Sequence, residues 1–124
     1  MLDGKRILIV DDEYMIALMA EQLVLDLGGT PVGPVATFTE AMSVARSGDF
    51  DAALLDVNLY GTQSEDVARE LAARNIPFVV VTGYGSINWR GIEAPVLTKP
   101  YDAPAIGRAL AKAIAAAGAD NDQT

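Results

Sequence analysis

Three kinds of side chain in this sequence could do chemistry together, and they close four short apolar runs. Asp11 and Asp12 follow Ile7 to Val10, Asp56 follows Ala52 to Leu55, Thr82 follows Phe78 to Val81, and Lys99 follows Val96 to Thr98. The chain has no Cys and no His. A disulfide framework, a thiolate metal site and imidazole base catalysis are therefore excluded. Carboxylate, hydroxyl and ammonium remain. Three carboxylates brought to one place repel each other unless a cation sits among them. An all-oxygen donor set favours a hard ion, Mg2+ first and Mn2+ as the substitute. A hydroxyl and an ammonium beside such an ion can grip phosphoryl oxygens, which is the electrostatic clamp that phosphoryl transfer needs. Asp56 is then the nucleophile that becomes an acyl phosphate. Taken singly, each residue has a plainer reading: Asp11 or Asp12 as a helix cap, Thr82 as a strand-end hydroxyl, Lys99 as a surface charge. Convergence is what separates the two readings, and convergence depends on the elements.

Lys5 to Val10 reads as a first strand, its consecutive apolar residues suiting a parallel strand buried on both faces. Asp12 can cap the helix that follows, with Glu13 in its first turn. Met15, Ile16, Met19, Leu23 and Leu27 keep helical spacing and define its expected buried face, and Gly28-Gly29 stops it. The second strand, Thr30 to Val35, carries Pro31 and Pro34, so it belongs at a sheet edge. Thr37 and Glu40 are spaced as a capping box for a helix reaching Gly48. Asp51 to Asp56 is a third strand, Ser64 caps a helix to about Arg74, and Pro77 to Thr82 is a fourth strand. Gly83 to Gly91 holds three Gly, so a helix there must be short or loose. This segment around Trp89 is expected to be mobile until Thr82 is drawn away. Val96 to Thr98 is the fifth strand, and Asp102 caps a last helix with Ile106, Leu110 and Ile114 facing inward. Five strands alternating with helices imply an α/β fold, a doubly wound parallel sheet of flavodoxin-like order 2-1-3-4-5. Ligands bind such sheets beyond the C-terminal strand ends, where the winding reverses. That place lies between the first and third strands, where Asp11, Asp12 and Asp56 end.

The 124 residues suit one domain, with a core from 5 to 117 and a frayed tail over 118–124. A net charge of −8 argues against direct nucleic-acid binding. No segment approaches the ~20 apolar residues of a membrane span, so no membrane contact and a cytoplasmic location are expected. A monomer or weak dimer is expected.

Ile9-Val10-Asp11-Asp12-Glu13, the Asp56 strand end, Thr82 and Lys99-Pro100 together resemble the receiver domain of bacterial response regulators. The likeness runs from Lys5 to about Ala117. It implies Mg2+ held by Asp12, Asp56 and the backbone carbonyl of Asn58, with Asp11 bound directly or through water. It implies a phosphohistidine donor, on a sensor histidine kinase or a histidine phosphotransfer protein. It implies that the chain catalyses its own phosphorylation and slow dephosphorylation and is not a turnover enzyme. Phosphorylation would draw Thr82 to the phosphoryl group and remodel the face of the fourth and fifth strands. A cis bond at Lys99-Pro100 would aim the Lys inward. The run Pro77-Phe78-Val79-Val80-Val81-Thr82-Gly83-Tyr84-Gly85 further resembles the FATGUY subset of single-domain receivers, with Val80 and Val81 in place of Phe and Ala. Two positions depart from the family. Val96 stands where many receivers carry an aromatic switch, a role Tyr84 could share. Tyr60 stands where many carry Pro, four residues after the phosphoacceptor.

Opposite the expected buried face of the first helix, Tyr14, Leu18 and Leu25 fall close together, since successive residues turn by about 100°. Receivers resembling this chain dock helical phosphodonors there, so these three residues are the expected partner patch. An aspartyl-phosphate hydrolase is the alternative, but such enzymes space their two acids two residues apart, whereas Asp11 and Asp12 are adjacent. A flavin module needs a Gly, Ser and Thr phosphate cradle after the first strand, where this chain has three acids.

Overall fold

The structure, a computed structural model, describes residues 2–83 and 87–122, with side chains through 117. The elements run β1 (Arg6–Val10), α1 (Tyr14–Asp26), β2 (Thr30–Val35), α2 (Phe38–Ser47), β3 (Ala52–Asp56), β4 (Asn58–Leu59), β5 (Thr62–Gln63), α3 (Glu65–Ala73), β6 (Phe78–Thr82), β7 (Val96–Thr98) and α4 (Ala103–Asp122). Helical backbone thus continues past Ala117 into the segment expected to fray. Five parallel strands form the main sheet in the order β2-β1-β3-β6-β7. This is the expected flavodoxin-like winding. The short antiparallel pair β4-β5 forms a separate hairpin that apolar patterning did not reveal.

Alternation along the central strands splits the core in two. Leu8, Val10, Ala53, Leu55, Phe78 and Val80 face α2 and α3, together with Ala41, Ala45, Val67 and Leu71. Ile7, Ile9, Ala52, Leu54 and Val79 face α1 and α4, together with Ala17, Ala20, Val24, Ile106 and Leu110. Covering both faces is why these strands read as unbroken apolar runs. β2, with its two prolines, is the exposed edge.

Three expectations about the helices need correction. The buried face of α1 is Ala17, Ala20 and Val24, flanked by half-buried Ile16, Leu23 and Leu27, while Met15 and Met19 are exposed. Small residues lie against the sheet here and larger ones point to solvent. Asp12 does not cap α1. The cap position is Glu13, whose side chain makes no capping bond, and Asp11 Oδ1 accepts the Glu13 N–H at 2.9 Å. Ser64 does occupy the cap position of α3, but its hydroxyl donates to the carbonyl of Asp56 and makes no capping bond. The other caps form as spaced: Thr37 Oγ1 accepts from the Glu40 N–H at 3.2 Å, and Asp102 Oδ1 from the Ala105 N–H at 2.9 Å. α1 ends at Gly28, whose φ of +88° is costly for any residue with a Cβ.

Among the described residues between β6 and β7 there is no helix. The segment is nonetheless anchored. Trp89 is buried in the α2–α3 side of the core, its Nε1 donates to Gln63 Oε1 at 3.4 Å, and Arg69 Nη2 donates to the Arg90 carbonyl at 3.0 Å.

Candidate functional site

Each chemistry-bearing residue sits where a strand of the main sheet ends. Asp11 and Asp12 follow β1, Asp56 closes the adjacent β3, Thr82 closes β6, and Lys99 follows β7. In-register pairing of Val10 with Leu55, Asp56 with Val81 and Thr82 with Thr98 brings these ends level. Asp11, Asp56 and Thr82 are buried.

Lys99 ties the cluster together. Its Nζ lies 3.2 Å from Asp56 Oδ2, 3.2 Å from Asp11 Oδ2 and 2.9 Å from Glu13 Oε1. The Lys99 N–H donates to the Thr82 carbonyl at 2.8 Å, and the Lys99–Pro100 peptide bond is cis. Asp11, Asp12, Glu13 and Asp56 each offer a carboxylate oxygen, all within 4.8 Å of one another. No nitrogen or sulfur ligand is in that set, which suits a hard divalent cation.

The electrostatics record the crowding. Burial pushes the Asp56 carboxyl up from 3.8 to about 7, the charge of Asp11 adds to the rise, and Lys99 only partly offsets it. Burial pulls the Lys99 ammonium down, but its bond to Glu13 and the charges of Asp56 and Asp11 outweigh that and keep it above its ordinary value. Burial likewise pushes the neighbouring Tyr101 hydroxyl up to about 12, with Asp11 contributing.

The β4-β5 hairpin closes one side of the site. Its turn is Tyr60-Gly61, with φ of +51° and +85°, the doubly left-handed geometry that suits a two-residue hairpin. The Tyr60 N–H donates to Asp12 Oδ2 at 2.9 Å, and the Asn58 N–H donates to Asp56 Oδ1 at 3.4 Å. Proline at 60 could supply neither the positive φ nor the N–H, so the departure from the family at Tyr60 is what permits this hairpin.

The expected partner residues lie together outside this cluster. Tyr14 is 69% exposed, Leu18 39% and Leu25 53%, and Met15 and Met19 join them on the same open face of α1. Val96 is half-buried at the start of β7. Tyr84, the expected stand-in for an aromatic switch, lies outside the described residues. Sequence reasoning missed Glu13 as a partner of Lys99, Tyr60 as a support for Asp12 and Ser64 as a support for Asp56. Only Glu13 carried a signal, its adjacency to the Asp pair.

No family model matches the chain. It is 34% identical over 109 residues to the transcriptional regulatory protein TcrA of Mycobacterium tuberculosis, across 82% of this chain. The match spans only 42% of that relative's length. The solution structure of SdrG from Sphingomonas melonis Fr1 is 46% identical and superposes with a TM-score of 0.78, covering 90% of this chain and 97% of that one. The receiver domain of sensor histidine kinase PA1611 from Pseudomonas aeruginosa, with magnesium coordinated in its active-site cleft, is 25% identical. Its TM-score is 0.78, with 90% and 98% of the two chains covered. None of these three is described as a FATGUY receiver, and that likeness rests on the run from Pro77 to Gly85 alone. The parallel sheet of order β2-β1-β3-β6-β7, the acids, Thr and Lys at its strand ends, and these relatives agree: the chain belongs to the CheY-like receiver-domain family of response regulators.

Proposed function

We propose that this receiver accepts a phosphoryl group on Asp56 from a phosphohistidine of a sensor histidine kinase or a histidine phosphotransfer protein, and that the change in state switches its binding to a partner. The observation that carries the reading is the contact of Lys99 Nζ with Asp56 Oδ2 at 3.2 Å inside a cluster of four carboxylates. The donor set fits Mg2+, which Asp11, Asp12, Asp56 and the backbone carbonyl of Asn58 would hold. When bound, Mg2+ would neutralise the acids and polarise the incoming phosphoryl oxygens. The raised Asp56 carboxyl supports this, because the crowded acids resist full ionisation without added positive charge.

The chain's own residues then have distinct tasks. The Asp56 carboxylate attacks phosphorus, an O–P bond forms as the N–P bond to the donor imidazole breaks, and the leaving imidazole takes a proton. Lys99 offsets charge on the phosphoryl oxygens from a position already beside Asp56. The Thr82 hydroxyl donates to a second phosphoryl oxygen, and its displacement reshapes the face of β6, β7 and α4. The Tyr60 and Asn58 N–H groups fix Asp12 and Asp56. Tyr14, Leu18 and Leu25, with Met15 and Met19, form the docking patch for a helical donor. Tyr14 is nearest Asp12 in the chain and lies closest to the transfer. The chain catalyses only its own phosphorylation and slow dephosphorylation.

Intact-mass spectrometry tests the reading. With acetyl phosphate and Mg2+ the protein gains one phosphoryl group, EDTA prevents the gain, and Asp56→Ala abolishes it. Equal labelling of Asp56→Ala would refute the assignment.

A further inference from the structure

Lys99 has one anionic partner that the phosphoacceptor reading does not use. Glu13 Oε1, at 2.9 Å, is nearer to Nζ than either Asp11 or Asp56. The Lys99 side chain is only 13% exposed, whereas that of Glu13 is 60% exposed, so this contact sits at the open side of the cluster. Glu13 is also held by its backbone, whose N–H donates to Asp11 Oδ1 at 2.9 Å. One residue thus fixes a buried acid through its main chain and the ammonium through its side chain.

An ammonium has three donors. In the resting site three carboxylates lie within reach of them. To meet a phosphoryl oxygen, Lys99 must release one. Asp56 becomes the acyl phosphate, and Asp11 is one of the acids that would hold Mg2+ in the proposed site. Glu13, the most exposed of the four clustered acids and not among the proposed Mg2+ holders, is the partner left to compete. We propose that Glu13 is a positioning residue acting through Lys99: it competes with the phosphoryl group for the ammonium and so sets how firmly the phosphorylated site is held. This rests on the phosphoacceptor reading of Asp56 and deepens it.

Glu13→Gln is the test, because it keeps the backbone bond to Asp11 and removes the charge. In EDTA, with no phosphodonor, acetylation of the Lys99 amine by acetic anhydride is followed by mass spectrometry, with Lys5 and Lys112 as internal references. Glu13→Gln should raise the Lys99 rate about two- to five-fold, the scale of a part-exposed ion pair. At saturating Mg2+, beryllofluoride should bind Glu13→Gln tighter by about the same factor, and that gain should vanish in a Lys99→Met background. Unchanged Lys99 reactivity would overturn the proposal, as would unchanged or weaker beryllofluoride binding. A gain that persists without Lys99 would also overturn it, since the effect would then be general charge repulsion. If wild type binds no beryllofluoride, the phosphoacceptor reading falls and takes the competition with it. The amine reactivity would still tell whether Glu13 holds Lys99.

Discussion

Asp56 should make the cation-free fold less stable as pH rises, and removing its charge should recover that loss. Its carboxyl titrates at about 7 in the folded chain against 3.8 for an ordinary Asp. The folded state therefore binds more protons than the unfolded state between those values. The contribution of Asp56 taken alone is most favourable below pH 4, falls as pH rises through this window, and levels off above pH 7. The destabilisation is on the order of a few kcal/mol above pH 7 and smaller at pH 5, where part of the window is still to be crossed. Asp56→Asn keeps the shape and abolishes the ionisation. It also removes one partner of Lys99, which retains Asp11 and Glu13 and so limits that cost. The net gain for Asp56→Asn in EDTA should be about 1–3 kcal/mol at pH 8 and smaller at pH 5. Urea unfolding followed by Trp89 fluorescence and far-ultraviolet circular dichroism measures it. Saturating Mg2+ should shrink the difference by stabilising the wild type through binding. A variant no more stable than wild type at pH 8, or a gain equal at both pH values, would refute the account of Asp56 as a strained acid.

Tyr60→Pro should weaken Mg2+ binding about ten-fold relative to Tyr60→Ala, because only Pro removes the N–H that holds the Asp12 carboxylate. Equal titration calorimetry for the two variants would remove Tyr60 from the site. Leu18→Glu should leave acetyl-phosphate labelling intact and slow transfer from the cognate phosphohistidine protein; transfer at the wild-type rate would show that the open face of α1 is not the docking surface. Trp89→Ala should cost about 3–5 kcal/mol, since the indole is buried in the core although no helix carries it. A loss below about 1 kcal/mol would mean that the segment is not anchored as described.

The site was legible because its logic is topological. A doubly wound parallel sheet delivers every strand's C-terminal end to one edge, so acids at the ends of β1 and β3 must meet, and Thr82 and Lys99 must lie beside them. The supports of the site were not legible in the same way. Ser64 has the spacing of a helix cap, yet its hydroxyl goes to the Asp56 carbonyl. Asp12 stands one residue before the cap position and accepts from Tyr60. Asp, Ser and Thr side chains serve several local backbone partners equally well, and only the tertiary fold decides among them. The β4-β5 hairpin escaped notice for a related reason: two-residue strands have no periodicity to read, and Tyr-Gly is not among the commonest turn pairs.

The first helix shows where hydrophobic periodicity loses its meaning. Reading large apolar residues as inward works when the opposite face is polar. In α1 large apolar residues also stand on the open face: Ala17, Ala20 and Val24 face the sheet, while Tyr14, Met15, Leu18, Met19 and Leu25 face out beside Gln22 and Asp26. Small inward residues let the helix axis lie close to β1 and β2, where a Met would force it away. Large residues left in solvent gain little from folding, and several on one helix face favour association. A flexible methionine pair flanking Leu18 also suits a surface that must adapt to a helical partner. The inward assignment of Met15 and Met19 and the outward assignment of Tyr14, Leu18 and Leu25 therefore fail and succeed for one reason. A single buried stripe describes only the contact that α1 makes on folding, and the docking patch proposed above would account for the rest of its large residues.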